Sequence, residues 1–388
     1  MNGSAGKVGE LSSKVLVLRT KSKWEGEQFV AINLQASYLH AITREIFASV
    51  GTPRFIAEIV AEVLVNANLT GHDSHGVLRI PQYLGQISNK KLNPTAEPAV
   101  VKETANTLLI DGNKGFGHYT AQQAMRLAIE KAKAANVACA SLLDTSHIGR
   151  LGEYAEVAAR AGCISIITFG VGGGTTDRGR VVPFGGAVGG LSTNPIAVGA
   201  PTGDDAPFVS DFATSVLAEG KVQVARSKNV DLPEGCIIDK HGNPSVKPSD
   251  FYDGGSLLPF GAHKGYSLAL ITCLLGGLSE EININEGRMS GVFMEVINVE
   301  AFTSLDKYQK GVRAFLDGMK STSPAPGFDE VLVPGDFEHR LRGERLTQGI
   351  DIPETVYQQI QAAAKHLNVS LAEEVVEPSD IGRYQTRS

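Results

Sequence analysis

Apolar residues recur at helical spacing between positions 36 and 65: Leu39, Ile42, Ile46 and Phe47, then Ile56, Ile59, Val60 and Val63. The period breaks at Gly51, Thr52 and Pro53, which predicts two helices joined by a turn with Pro53 opening the second. Further along, 107–111 reads as a strand, 119–135 as a helix and 137–143 as another strand. From Cys163 onward the texture changes to short β-prone runs at 164–169, 171–174, 196–200 and 208–210, punctuated by glycines. A helix is predicted over 215–227 and a strand over 291–297. The most apolar stretch, 265–278, reads as a buried helix; it is too short to span a bilayer. A terminal helix over 354–367 is expected to pack back on the N-terminal part.

Composition adds bounds to this pattern. The chain has 388 residues, 42% hydrophobic and 20% charged, with a formal net charge of -6. That length predicts two lobes with a cleft between them, and the acidic balance argues against nucleic acid or an anionic membrane as the main partner. Cys139, Cys163, Cys236 and Cys273 stand apart in apolar surroundings with no CxxC pair, which predicts free core thiols in a reducing compartment. Residues 1–35 read as a disordered extension; the basic 1–23 run lacks the amphipathic face of a mitochondrial presequence. A cytoplasmic protein is expected.

The densest polar chemistry lies in the 71–83 run. Ser74 beside His75, Arg79 four residues later and Tyr83 four after that form a kit for a small hydroxy or oxo acid. An imidazole moves a proton, and a guanidinium grips a carboxylate through two parallel hydrogen bonds. A rival reading takes His72, Asp73 and His75 as ligands of a metal-dependent lyase or hydrolase, but their crowding is not a familiar metal spacing. Gly115, Gly117 and Thr120, followed by Asp144 at the end of the next strand, imitate a dinucleotide fingerprint. There the third glycine is missing, and His118 and Tyr119 put bulk where a phosphate would nestle. Helix starts at His147 to Arg150, Asp211 to Ser215 and Gly261 to Gly265 offer three other anion-friendly turns.

Six blocks in this order, GHDSHGVLRIPQY, TSHIGRLGEYA, STNPIAVGAPT, VSDFATSVLAEGKVQVA, LLPFGAHKGYSLAL and VPGDFEHRLRGERLTQGI, resemble the type-2 malate/L-lactate dehydrogenase family over positions 36–367. The family also includes ureidoglycolate, sulfolactate and cyclic-imine carboxylate oxidoreductases. The resemblance implies an α/β chain of the α+β kind: a non-Rossmann NAD(P)-binding domain at 111–299 with a mostly antiparallel sheet, and a helical domain from 36–110 and 300–388. It implies a homodimer with the active site near the interface, and hydride transfer between NAD or NADP and a 2-hydroxy acid such as malate or L-lactate.

Residue by residue, the resemblance places Ser74, His75, Arg79 and Tyr83 along the substrate, with Thr193 and Asn194 bordering it. His147, Gly149, Arg150, Leu151, Asp211, Phe212, Ala213, Thr214, His263, Lys264 and Gly265 approach the cofactor. His75, oriented by Ser74, is the first candidate for the acid/base and His118 the second. Glu219, Gly220 and Lys221 fall where other members place substrate and catalytic groups, but Lys221 is an acid in some of them, which leaves its role open.

Overall fold

The computed structural model describes residues 18–24, 27–173 and 180–369. The two predicted N-terminal helices are Ala36–Ser49 and Arg54–Leu69, and Pro53 is the N-cap of the second. Their apolar faces carry Leu39, Ile46, Phe47, Ile56, Val60 and Leu64, all fully enclosed, each contributing about 1.5–3 kcal/mol relative to exposure. The helices Ile80–Ser88 and Glu354–His366 complete this first core, the latter through Tyr357, Ile360 and Ala364.

A small antiparallel sheet covers the same core, in the order Leu18–Trp24, Glu27–Leu34, Ile350–Pro353. The disordered reading of 1–35 is therefore corrected at Leu18–Trp24 and Glu27–Leu34; residues 1–17, 25 and 26 lie outside the described residues. Ile32 and Leu34 are buried, and Glu27–Leu34 gains its second partner from a strand more than 300 residues away, which no local pattern announces.

The large sheet runs in the order Ala99–Glu103, Thr107–Asp111, Val137–Leu143, Arg288–Asn298, Cys163–Gly173, Ile196–Ala200, Phe208–Phe212, with Ile282–Asn283 paired on Arg288–Asn298. Only Thr107–Asp111 and Val137–Leu143 are parallel, joined by the Gly117–Ala135 helix; every other neighbour is antiparallel. The sheet thus begins at Ala99, ahead of the expected boundary at 110.

Helices Gly117–Ala135 and Gly152–Arg160 pack on one face and share a core with Ile110, Leu142, Ile167 and Met294. On the other face lies His263–Gly276, so close that a Cβ at Gly170 would stand 2.2 Å from the Thr272 carbonyl oxygen. This helix was expected to be buried. Instead its buried residues are Gly265, Ala269, Thr272, Cys273 and Gly276, and Leu270, Ile271 and Leu274 are exposed. The helix predicted over 215–227 is Glu219–Lys228, because Ser215 and Leu217 are engaged in a turn ahead of it. The four cysteines are free, as expected. No helix among the described residues is long and apolar enough to cross a membrane.

Candidate active site

The Arg54–Leu69 helix ends at Thr70, and the chain then makes two single 3-10 turns, Asp73–His75 and Val77–Arg79, before Ile80–Ser88 begins. These turns put Ser74, His75 and Arg79 on one short ledge. Ser74 Oγ lies 3.0 Å from His75 Nδ1, and the Ser74 carbonyl accepts from Arg79 Nε at 2.7 Å. Arg79 Nη1 donates to Gln82 at 2.8 Å, so one edge of the guanidinium is fixed before any ligand arrives. Tyr83, on the following helix, is fully enclosed and carries its hydroxyl inward.

Two further imidazoles converge on that hydroxyl. The Tyr83 hydroxyl is 2.8 Å from His147 Nδ1 and 3.4 Å from His118 Nε2. The His75 and His147 rings stack at 5.5 Å, and His118 meets His147 edge to face at 6.1 Å. The near-miss fingerprint explains how these loops come so close. A Cβ at Gly117 would stand 2.2 Å from the Ser146 carbonyl oxygen, and the Gly117 N–H donates to Ser146 Oγ at 2.8 Å. The glycine serves loop-on-loop packing that joins His118 to His147. Asp144 is exposed: its carbonyl accepts the Lys114 N–H of the glycine loop at 2.7 Å, and its N–H donates to the Glu281 carboxylate.

Burial disfavours the charged form of all three imidazoles. His118, wholly buried, is pushed down to about 3 by desolvation. His75 is pushed down to about 3 as well, by desolvation first and the Arg79 charge second. His147 is held well below the usual histidine range by desolvation, then by His75 and His118, with Arg79 a smaller influence. His147 Nδ1 faces the Tyr83 phenol at 2.8 Å and the Gly149 N–H at 3.3 Å, contacts that orient the ring and leave Nε2 free of both. His118 Nδ1, by contrast, is buried without a hydrogen-bond partner.

The remaining candidates divide. Gly220, at the start of Glu219–Lys228, abuts Ser74, where a Cβ would come within 3.5 Å of the Ser74 Cβ. Lys221 lies in the same first turn. His263 and Lys264 are exposed at the start of a 14-residue helix that no side chain caps. Gly265 packs against the Phe260 carbonyl, and Phe212 is exposed with its ring against Phe260.

Others are brought into the frame instead. Asn194 is wholly buried: its Oδ1 accepts from the Val171 N–H, and its Nδ2 donates to the Ala269 carbonyl and Cys273 Sγ. These bonds make it a brace between strand and helix. Thr214 is likewise buried, donating to the Thr193 carbonyl. Arg150 is buried between Glu153 and Glu156, Leu151 belongs to the second core, and Asp211 receives the Gly152 N–H at 2.7 Å. Asp73, offered as a metal ligand, is held by Asn68 and Arg345, and His72 faces Glu338. The sequence reading grouped His147 with the cofactor residues; only the fold shows that it shares one cluster with His75, Tyr83 and His118.

The sequence profile of the malate/L-lactate dehydrogenase family matches residues 34–361. Hydroxycarboxylate dehydrogenase B of Escherichia coli O157:H7 is 36% identical over 345 residues, 86% of this chain and 94% of that protein. L-sulfolactate dehydrogenase of Methanocaldococcus jannaschii is 34% identical over 84% of this chain and 95% of its own. Among solved structures, malate dehydrogenase from Entamoeba histolytica superposes with a TM-score of 0.81 at 27% identity, covering 88% of this chain and 99% of that one. By the match of its sequence over most of its length, this chain belongs to the malate/L-lactate dehydrogenase family.

Proposed function

We propose that the protein transfers a hydride between a nicotinamide cofactor and a small 2-hydroxy or 2-oxo acid, with malate or L-lactate as the reference substrates. The observation that carries this reading is the pairing of Arg79 with the His75, Tyr83 and His147 group on one ledge. A guanidinium suited to a carboxylate thus stands beside imidazoles suited to the adjacent oxygen.

Proton exchange is assigned to His147 Nε2 rather than to His75 or His118. An acid/base must be tolerated in both protonation states. With its Nδ1–H donated to the Tyr83 hydroxyl oxygen, neutral His147 keeps its lone pair on Nε2, and the same hydrogen bond serves the charged ring once Nε2 has taken a proton. At His75 the Arg79 charge is the second cause, after desolvation, that disfavours the imidazolium, whereas at His147 it ranks last. His118 would hold a charged N–H with no acceptor. In the oxidation direction His147 takes the alcohol proton, while Arg79 holds the carboxylate and His75, oriented by Ser74, flanks the reacting carbon. In reduction the protonated ring returns it as charge develops on the carbonyl oxygen.

The cofactor residues fit a dinucleotide at the start of His263–Gly276. That exposed, uncapped helix start with Lys264 beside it suits a pyrophosphate, and Gly149 and Phe212 would flank the ring system. When bound, the nicotinamide supplies or accepts the hydride. The antiparallel sheet supports a cofactor domain that is not of the doubly wound type. A homodimer is supported by the apolar face of Leu270, Ile271, Leu274 and Leu278, exposed on a sheet-backed helix and the turn after it.

A panel of 2-oxo acids and a cyclic-imine carboxylate, offered with NADH and with NADPH and followed at the nicotinamide absorbance, tests the reading. Turnover of a 2-oxo acid is expected. Absence of any turnover by protein that binds cofactor would contradict it.

A further inference from the structure

The Asp336–Gln348 helix has no buried residue of its own, yet one of its faces is committed to the catalytic ledge. Phe337, Leu341 and Arg345 follow one another at four-residue intervals and so share that face. Phe337 and Leu341 close over Gly71, where an added Cβ would meet Leu341 at 2.7 Å and Phe337 at 3.3 Å. Arg345 then reaches Asp73, with Nη1 3.0 Å from Oδ1 and Nη2 3.3 Å from Oδ2, and Nη1 also donates to the Asn68 carbonyl.

Asn68 extends the hold. Its Nδ2 donates to Asp73 Oδ1 at 2.6 Å, while its Oδ1 accepts the Val77 N–H at 2.9 Å. It therefore grips both 3-10 turns, reaching them across Gly76, where a Cβ would fall 2.2 Å from Asn68 Oδ1. Between these two grips sit the Ser74 carbonyl that aims Arg79 and the Ser74 hydroxyl that faces His75.

We propose that Arg345 is a positioning residue for catalysis: through Asp73 and Asn68 it fixes the turn that aims the Arg79 guanidinium at the substrate carboxylate. The proposal rests on the reading of Arg79 given above. Arg345 itself is separated from substrate by the turn it holds, so its removal leaves every reacting group in place and changes only how firmly Arg79 is aimed. The paired geometry makes this a two-point grip that lysine cannot reproduce.

The test is a double-substitution cycle on the full-length enzyme, with kcat and KM for the 2-oxo acid and cofactor Kd by nicotinamide fluorescence. Arg345→Met is expected to raise the 2-oxo acid KM about tenfold, to keep cofactor Kd within about twofold, and to change KM less than about twofold in an Arg79→Met background. Arg345→Lys should fall between the wild type and Arg345→Met. Asp73→Asn, which keeps shape but removes the carboxylate charge, should reproduce the KM shift and carries the same test if Arg345→Met does not fold. An equal KM effect with and without Arg79, or an unchanged KM in both Arg345→Met and Asp73→Asn, overturns the proposal alone. An unchanged KM in Arg79→Met by itself overturns the carboxylate assignment and this proposal with it.

Discussion

The phenol of Tyr83, a residue of the first core, lies 2.8 Å from Nδ1 of His147, although 64 residues separate them. This contact ties the helical part of the chain to the loop that follows the Val137–Leu143 strand, and it singles out one imidazole among three. His147→Asn should lower kcat at least about a hundredfold with cofactor affinity retained, the usual worth of general acid/base catalysis. Tyr83→Phe should cost less, about tenfold, because the phenol orients the ring without itself exchanging the substrate proton. His118→Asn should act mainly on stability. Steady-state kinetics and thermal melts on the three variants check the ranking, and a catalytic loss at His118 equal to that at His147 would refute it.

Arg79 makes a second prediction. Its Nε is bound to the Ser74 carbonyl and its Nη1 to Gln82. Lysine keeps the charge but loses both the fork and the anchor, so Arg79→Lys should raise the 2-oxo acid KM about tenfold or more with cofactor binding little changed. Unchanged KM would remove Arg79 from the substrate.

Much of the fold was legible because its helices carry their own period. The two N-terminal helices, the Gly117–Ala135 helix and the terminal Glu354–His366 helix appear close to the expected positions. The strands at Leu18–Trp24 and Glu27–Leu34 were missed: they pair with each other, but their sheet is completed by Ile350–Pro353, remote in sequence. At the site, the Ser74, His75, Arg79 and Tyr83 run stood out because it is contiguous. The place of His147 beside Tyr83 was not legible, because only the close packing of Gly117 on Ser146 brings the two together. Asn194 and Arg150 stand in motifs shared with the family, yet motif membership does not distinguish a ligand contact from the brace behind it.

A cavity of about 1030 Å³ opens between the Arg54–Leu69, Gly117–Ala135 and Gly152–Arg160 helices, and Glu62 lines it. Burial, with Glu153 and Glu58 adding repulsion, pushes its carboxyl up to about 7. A carboxyl raised in the folded state contributes stability that is present below its unfolded value near 4.5 and lost as pH rises through 7. Glu62→Gln removes that loss, so it should stabilise the protein by about 1–3 kcal/mol at pH 8.5 and show no such gain at pH 4.5. Urea unfolding at the two pH values reads this directly; a gain that is the same at both would contradict the burial argument.

The cofactor assignment separates two residues. Lys264 is exposed at the uncapped start of His263–Gly276, whereas the Asp144 N–H is bonded to Glu281, a loop contact away from that helix. Lys264→Ala should weaken NAD(P)H binding several-fold, about what one charge-assisted contact is worth, and Asp144→Asn should leave it within about twofold. Fluorescence titration decides; the reverse order would restore the dinucleotide fingerprint at Gly115.

The central claim is direct hydride transfer to the carbonyl carbon of a 2-oxo acid. The enzyme is incubated with the best substrate of the panel and with each of the two stereospecifically C4-deuterated forms of the reduced cofactor, and the product is analysed by mass spectrometry and proton NMR. The account predicts one deuterium at C2 of the 2-hydroxy acid from one of the two forms and none from the other. Product carrying no deuterium at C2 with either form would contradict it.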